Sequence, residues 1–342
     1  LSSQITLTEE EKKWLMNQLE IIKKIHPNQY KRIMKTIATL KNKNLHVARI
    51  FTKNLIPIIG FISRFHQRRN TSKSYLNVLV IFNSYITVTF KKHIMEIGNR
   101  ELEAYFNYAK EKYSNNTLVL HRDVLRAFYR YNDKVEMAKK VGQWKFIKEH
   151  KFKVDLTYEE IMRILENVDD ARVRLAVLFI AFSGMRPSEA LGICWGDIEE
   201  TEDMALANIK YRPSIKYGAK GKSGERTVPI SKEAIIVLSY LKQKYIEKYH
   251  TLPSQGQRII DLSYTMLRKK FLRAVNRAGI KNKQYPITLH KLRHFFGHYW
   301  MDKVRDIVKL KEIMGHSDIK TTLIYTKPTK EEIIQKYKEL NG

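Results

Sequence analysis

The chain has 342 residues, 43% of them hydrophobic, with 63 Lys and Arg against 35 Asp and Glu for a formal net charge of +28. This length and apolar content exclude a wholly disordered chain and suggest two domains with room for a third element. The charge excess favours a polyanionic partner, nucleic acid first and a membrane surface second; the single cysteine, Cys194, excludes an internal disulfide and a cysteine metal site.

The opening residues, Leu1-Ser2-Ser3-Gln4, lack the charged start and apolar run of a secretion signal. No apolar stretch is expected to approach the ~20 residues of a membrane span, and the run from Arg174 to Phe182 reads as a buried core helix. A soluble, intracellular protein is expected. Residues 7–24 predict a helix: Thr8 and Glu11 match a capping box, and Trp14, Leu15, Leu19 and Ile22 recur at helical spacing. Residues 45–66 predict another helix, interrupted near Pro57. Residues 1–69 are expected to form a helical arm or extension.

Residues 70–150 predict a compact helical unit that ends in a basic linker. Tyr75, Leu79, Phe82 and Ile86 form one apolar stripe, and a helix from about Asn116 to Tyr131 turns Leu118, Leu125 and Phe128 inward. Arg122, Arg126 and Arg130 repeat every four residues on another face of that helix. They have no acidic i+4 partners, so with Lys73 they are the candidate phosphate contacts; a solvated face is the alternative. The lysines between residues 139 and 153 suit a linker that crosses phosphate backbone.

Residues 151–342 read as a second domain. Thr157 is a helix N-cap ahead of Tyr158-Glu159-Glu160. Short strands are predicted near 206–212 and 226–230 around a Gly/Lys/Ser turn, and helices dominate the rest. The expected fold class is mainly α with a small antiparallel β-sheet.

Two arginines, two histidines and a tyrosine in this domain suit attack on a phosphodiester. Arginines clamp phosphate oxygens bidentately, histidines move protons near neutral pH, and a tyrosine oxygen can bond covalently to phosphorus. Arg186 follows Gly184, with Pro187 suited to the first turn of a new helix and Glu189 placed to orient Arg186. His290 and Arg293 share a helix face that Thr288 could cap, and His294 and His298 continue the register. Three histidines so spaced raise a zinc reading. No carboxylate or cysteine accompanies them, and Phe295, Phe296, Tyr299 and Trp300 point to packing instead, so no metal is expected. Gly315 should end a helix just before His316.

Four blocks stand in order: Gly184-Met185-Arg186-Pro187-Ser188-Glu189; the hairpin Lys220-Gly221-Lys222-Ser223-Gly224-Glu225-Arg226-Thr227-Val228-Pro229; His290-Lys291-Leu292-Arg293-His294; and Gly315-His316 followed by Tyr325. In these blocks the chain resembles the tyrosine recombinase (phage integrase, Xer-like) family, over roughly residues 70–342. The resemblance implies a helical core-binding domain over 70–150 and a catalytic domain over 151–342. It implies that Tyr325 is the nucleophile, forming a 3′-phosphotyrosine bond, that Arg186, Arg293 and His316 surround the scissile phosphate, and that His290 is a proton acceptor or a hydrogen-bond donor there, with Glu189 and His294 supporting them. A hairpin lysine, Lys222 or Lys220 with Lys216 a distant third, would protonate the leaving 5′-oxygen; the turn is one residue longer than in the Xer pattern. The arginines and a histidine near Tyr325 are expected to favour its phenolate.

No cofactor is implied, neither metal nor ATP. The implied partners are a double-stranded DNA recombination site and further copies of the chain, a tetramer on DNA and a monomer or dimer when free, with no membrane. The tail after Pro328 would pack on a neighbouring protomer or back on its own domain. Residues before 70 tilt the reading towards an integrase of a mobile element, a virus or a plasmid, acting in the host cytoplasm. The alternatives are a type IB topoisomerase-like enzyme and a DNA-binding protein without catalysis.

Overall fold

A computed structural model describes residues 6–65, 67–147, 156–201, 204–213, 217–219, 221–280 and 286–326, and the chain divides into two units, Leu1–Lys151 and Phe152–Gly342. The described residues are mostly helical, with one small antiparallel sheet.

The first unit holds α1 (Glu9–Ile25), α2 (Pro27–Lys43), α3 (Leu45–Ser63), α4 (Arg69–Phe90), α5 (Asn99–Lys112), α6 (Asn115–Tyr131) and α7 (Val135–Gly142). The capping box at the start of α1 forms: the Glu11 N–H donates to Thr8 Oγ1 at 3.1 Å and the Thr8 N–H to Glu11 Oε2 at 2.9 Å. Leu15, Ile22, Ile33, Leu55 and Ile58 share one buried cluster with Leu79, Phe82, Leu125 and Phe128. The boundary expected at residue 69 therefore falls between α3 and α4, inside a single core.

Two expectations about α3 are corrected. It runs unbroken through Pro57. An interior proline costs about 3 kcal/mol, and the buried side chains of α3, Phe51, Leu55, Ile58, Ile59 and Phe61 among them, offset that loss. The same helix, 19 residues long with a mean hydropathy of 1.3, is long and apolar enough to cross a membrane, contrary to the expectation that no stretch comes near. Here its apolar face is buried against α2, α4 and α6. Its buried Asn54 donates to Asn83 Oδ1 at 2.8 Å and accepts from the Ile94 N–H at 3.1 Å, so the polar group it carries inward is satisfied.

The second unit begins with α8 (Tyr158–Glu166), capped by Thr157 as expected, then α9 (Ala171–Phe182) and the single turn α10 (Pro187–Ala190). Three strands follow, β1 (Ile198–Glu200), β2 (Ala205–Ile209) and β3 (Arg226–Ile230), in the order β1-β2-β3, with Ala207 opposite both Ile198 and Val228. The strand expected over 206–212 ends at Ile209, and β1 is too short to have left a pattern in the sequence. Helices α11 (Lys232–Tyr249), α12 (Tyr264–Arg277), α13 (Leu289–Lys303) and α14 (Ile307–Met314) complete the unit, with 3-10 turns at Ile319–Thr321 and Leu323–Thr326. Helix α9 is the centre of the core: Val173 and every residue from Leu175 to Ala181 are buried, and α11 and α13 pack on it. This explains its lack of an amphipathic pattern, since a helix surrounded by protein needs no polar face.

Candidate active site

The site is organised around one carboxylate. Arg186 is the N-cap of α10, Pro187 opens the helix, and Glu189 sits one turn in, accepting from the Arg186 N–H at 2.7 Å. Glu189 is only 1% exposed, yet it meets two guanidinium groups directly. Arg186 Nη1 donates to its Oε1 at 2.7 Å; Arg226 forks onto it, Nη1 to Oε1 at 3.1 Å and Nη2 to Oε2 at 2.8 Å. Arg293 stands 3.8 Å away. Burial opposes ionisation of Glu189, but the Arg226 hydrogen bond and charge, with the Arg186 charge, outweigh it and hold the carboxyl below its ordinary pKa.

The same three arginines secure the end of α14. Arg226 Nε donates to the Ile313 carbonyl at 2.5 Å, Arg293 Nη2 to the Met314 carbonyl, and Arg186 Nη2 to the Gly315 carbonyl at 2.7 Å. These belong to the group of carbonyls that a helix C-terminus leaves without partners, at its negative end. Gly315 closes the helix at φ +63°, and a Cβ there would lie 2.8 Å from Arg226 Nη1, so glycine is needed both for the turn and for the arginine. Arg293 Nη1 donates as well to the Gly184 carbonyl. Burial, then the Arg186 charge, lowers the Arg293 pKa to about 9 against the opposing pull of Glu189.

Tyr325 lies on the last 3-10 turn and is 6% exposed. Its ring rests on Gly297 of α13, where a Cβ would be 2.6 Å from ring carbons. Its hydroxyl is 3.1 Å from His294 Nδ1. The His298 ring meets it edge-on, centroids 5.1 Å apart at 88°, and the His316 ring lies nearly parallel at 6.4 Å. His316 Nδ1 is 2.9 Å from the hydroxyl of buried Thr322. Burial drives His316 down to about 4, helped by the charges of Arg293, Arg186 and Arg226. Burial likewise pushes Tyr325 up to about 12, and the Arg293 charge only partly opposes this. The expectation that nearby cations would favour the phenolate is thus corrected: in the DNA-free chain desolvation wins.

The structure brings Arg186, Glu189, Arg293, His294, His316 and Tyr325 together. His290 is exposed in the first turn of α13, and Thr288 occupies that helix's N-cap position without a side-chain capping bond. Lys222 is exposed on the 3-10 turn Lys222–Gly224 of the hairpin; Lys220 and Lys216 lie outside the described residues, as does the tail from residue 327. Among the described residues no group of three His, Cys, Asp or Glu side chains is arranged to hold a metal ion. Sequence reasoning gave no role to Arg226, Thr322 or Gly297. Arg226 was visible only as part of the hairpin motif, and nothing in the sequence signals its 37-residue reach back to Glu189.

In the first unit the arginine row of α6 is uneven. Arg122 pairs with its sequence neighbour Asp123 at 2.7 Å, a partner outside the i+4 spacing, and also reaches the Trp144 carbonyl at 3.4 Å. Arg126 is exposed and passes beside Gly142. Arg130 lines an open cavity of about 840 Å³ with Arg64, Arg68, Phe65 and Tyr131. Lys73 is exposed on α4.

The model of the phage integrase family matches residues 155–332. The chain belongs to this family. It is a tyrosine recombinase of the Xer type, an enzyme of DNA strand cleavage and rejoining. The recombinase is 28% identical over 311 residues to tyrosine recombinase XerA of Thermococcus kodakarensis, which covers 90% of this chain and 93% of that protein. It is similar in structure to the XerH site-specific recombinase bound to its difH substrate in a pre-cleavage complex, with a TM-score of 0.58, 25% identity and coverage of 78% of each chain. A post-cleavage XerH complex on palindromic difH shares the fold at a TM-score of 0.61 and 20% identity, over 96% of this chain and 95% of that one.

Proposed function

We propose that this recombinase exchanges strands between two copies of one double-stranded DNA site through a 3′-phosphotyrosine on Tyr325, assembled as a tetramer on two duplexes. The observation that carries the reading is the convergence of Tyr325, Arg186, Arg293 and His316 from four separate segments onto one buried centre. In this scheme Arg186, Arg293, His290 and His316 hold the non-bridging oxygens and stabilise the charge that builds on them. Tyr325 attacks in line. Lys222 or Lys220 protonates the departing 5′-oxygen. A 5′-hydroxyl from the partner strand then reverses the step. Side chains alone carry it, with no metal or ATP. Glu189 positions the arginines, and Arg126, Arg130 and Lys73 contact the phosphate backbone.

The integration reading drew on the residues before 70. The XerA alignment spans 90% of this chain, more than residues 70–342 alone could supply, so part of the segment before 70 has a counterpart there and does not by itself mark an integrase; exchange at a resident site in the cytoplasm is the reading proposed instead. The Xer-type relatives, all named as recombinases, disfavour the topoisomerase and non-catalytic alternatives. The test is incubation with a pool of nicked duplexes that trap cleavage, denaturation in detergent, and a search for a DNA–protein adduct. An adduct absent from Tyr325→Phe is expected; an adduct that survives this substitution rejects Tyr325 as the nucleophile.

A further inference from the structure

We propose that His294 is the proton acceptor of the nucleophile: its Nδ1 takes the hydroxyl proton of Tyr325 as that oxygen bonds to phosphorus. The inference rests on the tyrosine mechanism proposed above, and adds to it a residue that the motif resemblance places only in support.

Geometry carries the assignment. Among the described residues the hydrogen-bond partner of the Tyr325 hydroxyl is His294 Nδ1, at 3.1 Å. The contact is built rather than incidental. Gly297 lies three residues after His294 and is the seat for the phenol ring, and His298, one turn after His294, closes the edge of that ring. Arg293, the neighbour of His294 on α13, is the phosphate clamp of the proposed mechanism. One helix therefore fixes both the group that would hold the phosphate and the group that meets the attacking oxygen. Of the other imidazoles, His316 directs its Nδ1 to Thr322 at 2.9 Å, and His290 is exposed in the first turn of α13.

The proton balance is consistent with this role. Burial, with the charges of Lys291, His290, His298 and Arg293, lowers His294 to about 4, while burial raises Tyr325 to about 12. At neutral pH the resting pair is therefore a phenol that donates and a neutral imidazole that accepts. As the Oη–P bond forms, Oη becomes the bridging oxygen of an aryl phosphodiester, which is strongly acidic while still protonated. Its pKa falls from far above that of His294 to far below it, so the proton transfers during attack rather than before it. The P–O5′ bond breaks with its electron pair on O5′, which takes a proton from the hairpin lysine. His294 then holds the tyrosine proton, beside a phosphodiester anion that offsets the surrounding cations. In the return step the same nitrogen gives the proton back to the departing phenolate.

The test follows single-turnover adduct formation across pH 6 to 9 on a pool of nicked duplexes of random sequence, for wild type, His294→Ala and His294→Asn. The Asn amide oxygen stands near the place of Nδ1 and accepts a hydrogen bond but not a proton. Both variants are expected to react about 100-fold more slowly at neutral pH. Their rates should climb about tenfold per pH unit as free phenolate accumulates, whereas the wild-type rate is flat. A His294→Asn rate equal to wild type overturns the inference, because the hydrogen bond alone then suffices. No adduct with wild type on any duplex sinks the recombination mechanism and this inference with it; a wild-type adduct with unaffected variants sinks the inference alone. A second measurement needs no His294 variant to fold. In ¹⁵N-imidazole spectra of the DNA-free protein, His294 should carry its proton on Nε2, and Tyr325→Phe should shift the Nδ1 resonance. A proton on Nδ1 overturns the assignment.

Discussion

Gly297→Ala should change sign with the residue at position 325. The new Cβ would lie 2.6 Å from Cε1 and Cζ and 2.7 Å from Cδ1 of Tyr325, distances that no rotation of the methyl group relieves. Overpacking of this kind costs about 1–3 kcal/mol. Against it, alanine gains roughly 0.8–1 kcal/mol over glycine in a helix interior, and Gly297 lies in the middle of α13. In the wild-type background the net effect is a loss of about 0–2 kcal/mol. In a Tyr325→Ala background the clash disappears and only the helix gain remains, so the same substitution should stabilise by about 1 kcal/mol. The coupling between the two positions is therefore about 1–3 kcal/mol. Urea unfolding followed by tryptophan fluorescence reads it, since Trp300 packs against Phe296 in the same cluster as Tyr325. Adduct formation should fall in the single variant, because the ring must leave its seat and with it the His294 contact. Equal shifts in both backgrounds would show that Tyr325 does not rest on Gly297.

Glu189→Gln removes the one carboxylate among three guanidinium groups and should destabilise the second unit by about 3–5 kcal/mol in urea unfolding, the range for breaking a buried ion pair; a loss under ~1 kcal/mol would reject it as the organising charge. Because Glu189 titrates below its ordinary value of 4.5, its contribution is fully present above that pH and is lost as pH falls through the folded-state value, so wild type should lose more stability than Glu189→Gln on acidification below 4.5. Arg126→Ala with Arg130→Ala should weaken binding to all duplexes and flatten the logarithmic salt dependence by about 2, while Arg122→Ala, whose guanidinium is already paired with Asp123, should change it much less; equal effects of all three would restore the uniform row. Lys222→Ala should slow cleavage of an ordinary 5′-oxygen linkage and recover on a 5′-bridging sulfur linkage, whose leaving group needs no proton; no defect on the oxygen substrate would move the general acid to Lys220.

Part of the local chemistry was legible in residues a turn apart. The Thr8 capping box and the Thr157 N-cap depend on groups three positions apart and both form, whereas Thr288 makes no side-chain capping bond. His290 and Arg293 were expected to share a face, but burial separates them: Arg293 faces the core and His290 the surface. That difference comes from tertiary packing, which spacing does not encode. Pro57 was misjudged for a related reason, because the intrinsic cost of a proline says nothing about the burial that offsets it. The Tyr325 pKa was misjudged because charges can be counted along a chain whereas desolvation cannot. Arg226 was the largest omission. Its position at the head of β3 looks like an exposed hairpin residue until the strand register and the turn at Gly315 bring its guanidinium under Glu189.

The three arginines also show how a site that must bind an anion can be prepared before the anion arrives. Gathering three guanidinium groups in a buried place is unfavourable unless each has partners. Glu189 supplies one negative charge, and the carbonyls of Ile313, Met314 and Gly315 supply the negative end of a helix, one carbonyl to each arginine. Carbonyl dipoles hold cations without neutralising them, so the cluster keeps a net positive charge for a phosphate to meet. The arginines are not equivalent in this. The Arg226 side chain is 9% exposed and is fixed by its fork on Glu189 and by the Ile313 carbonyl, whereas the Arg186 side chain remains 28% exposed. Arg226 therefore acts as the inner strut and Arg186 as the arm open to solvent. Because His316 immediately follows the last of the three carbonyls, the contacts that hold the arginines also fix where that histidine enters the site.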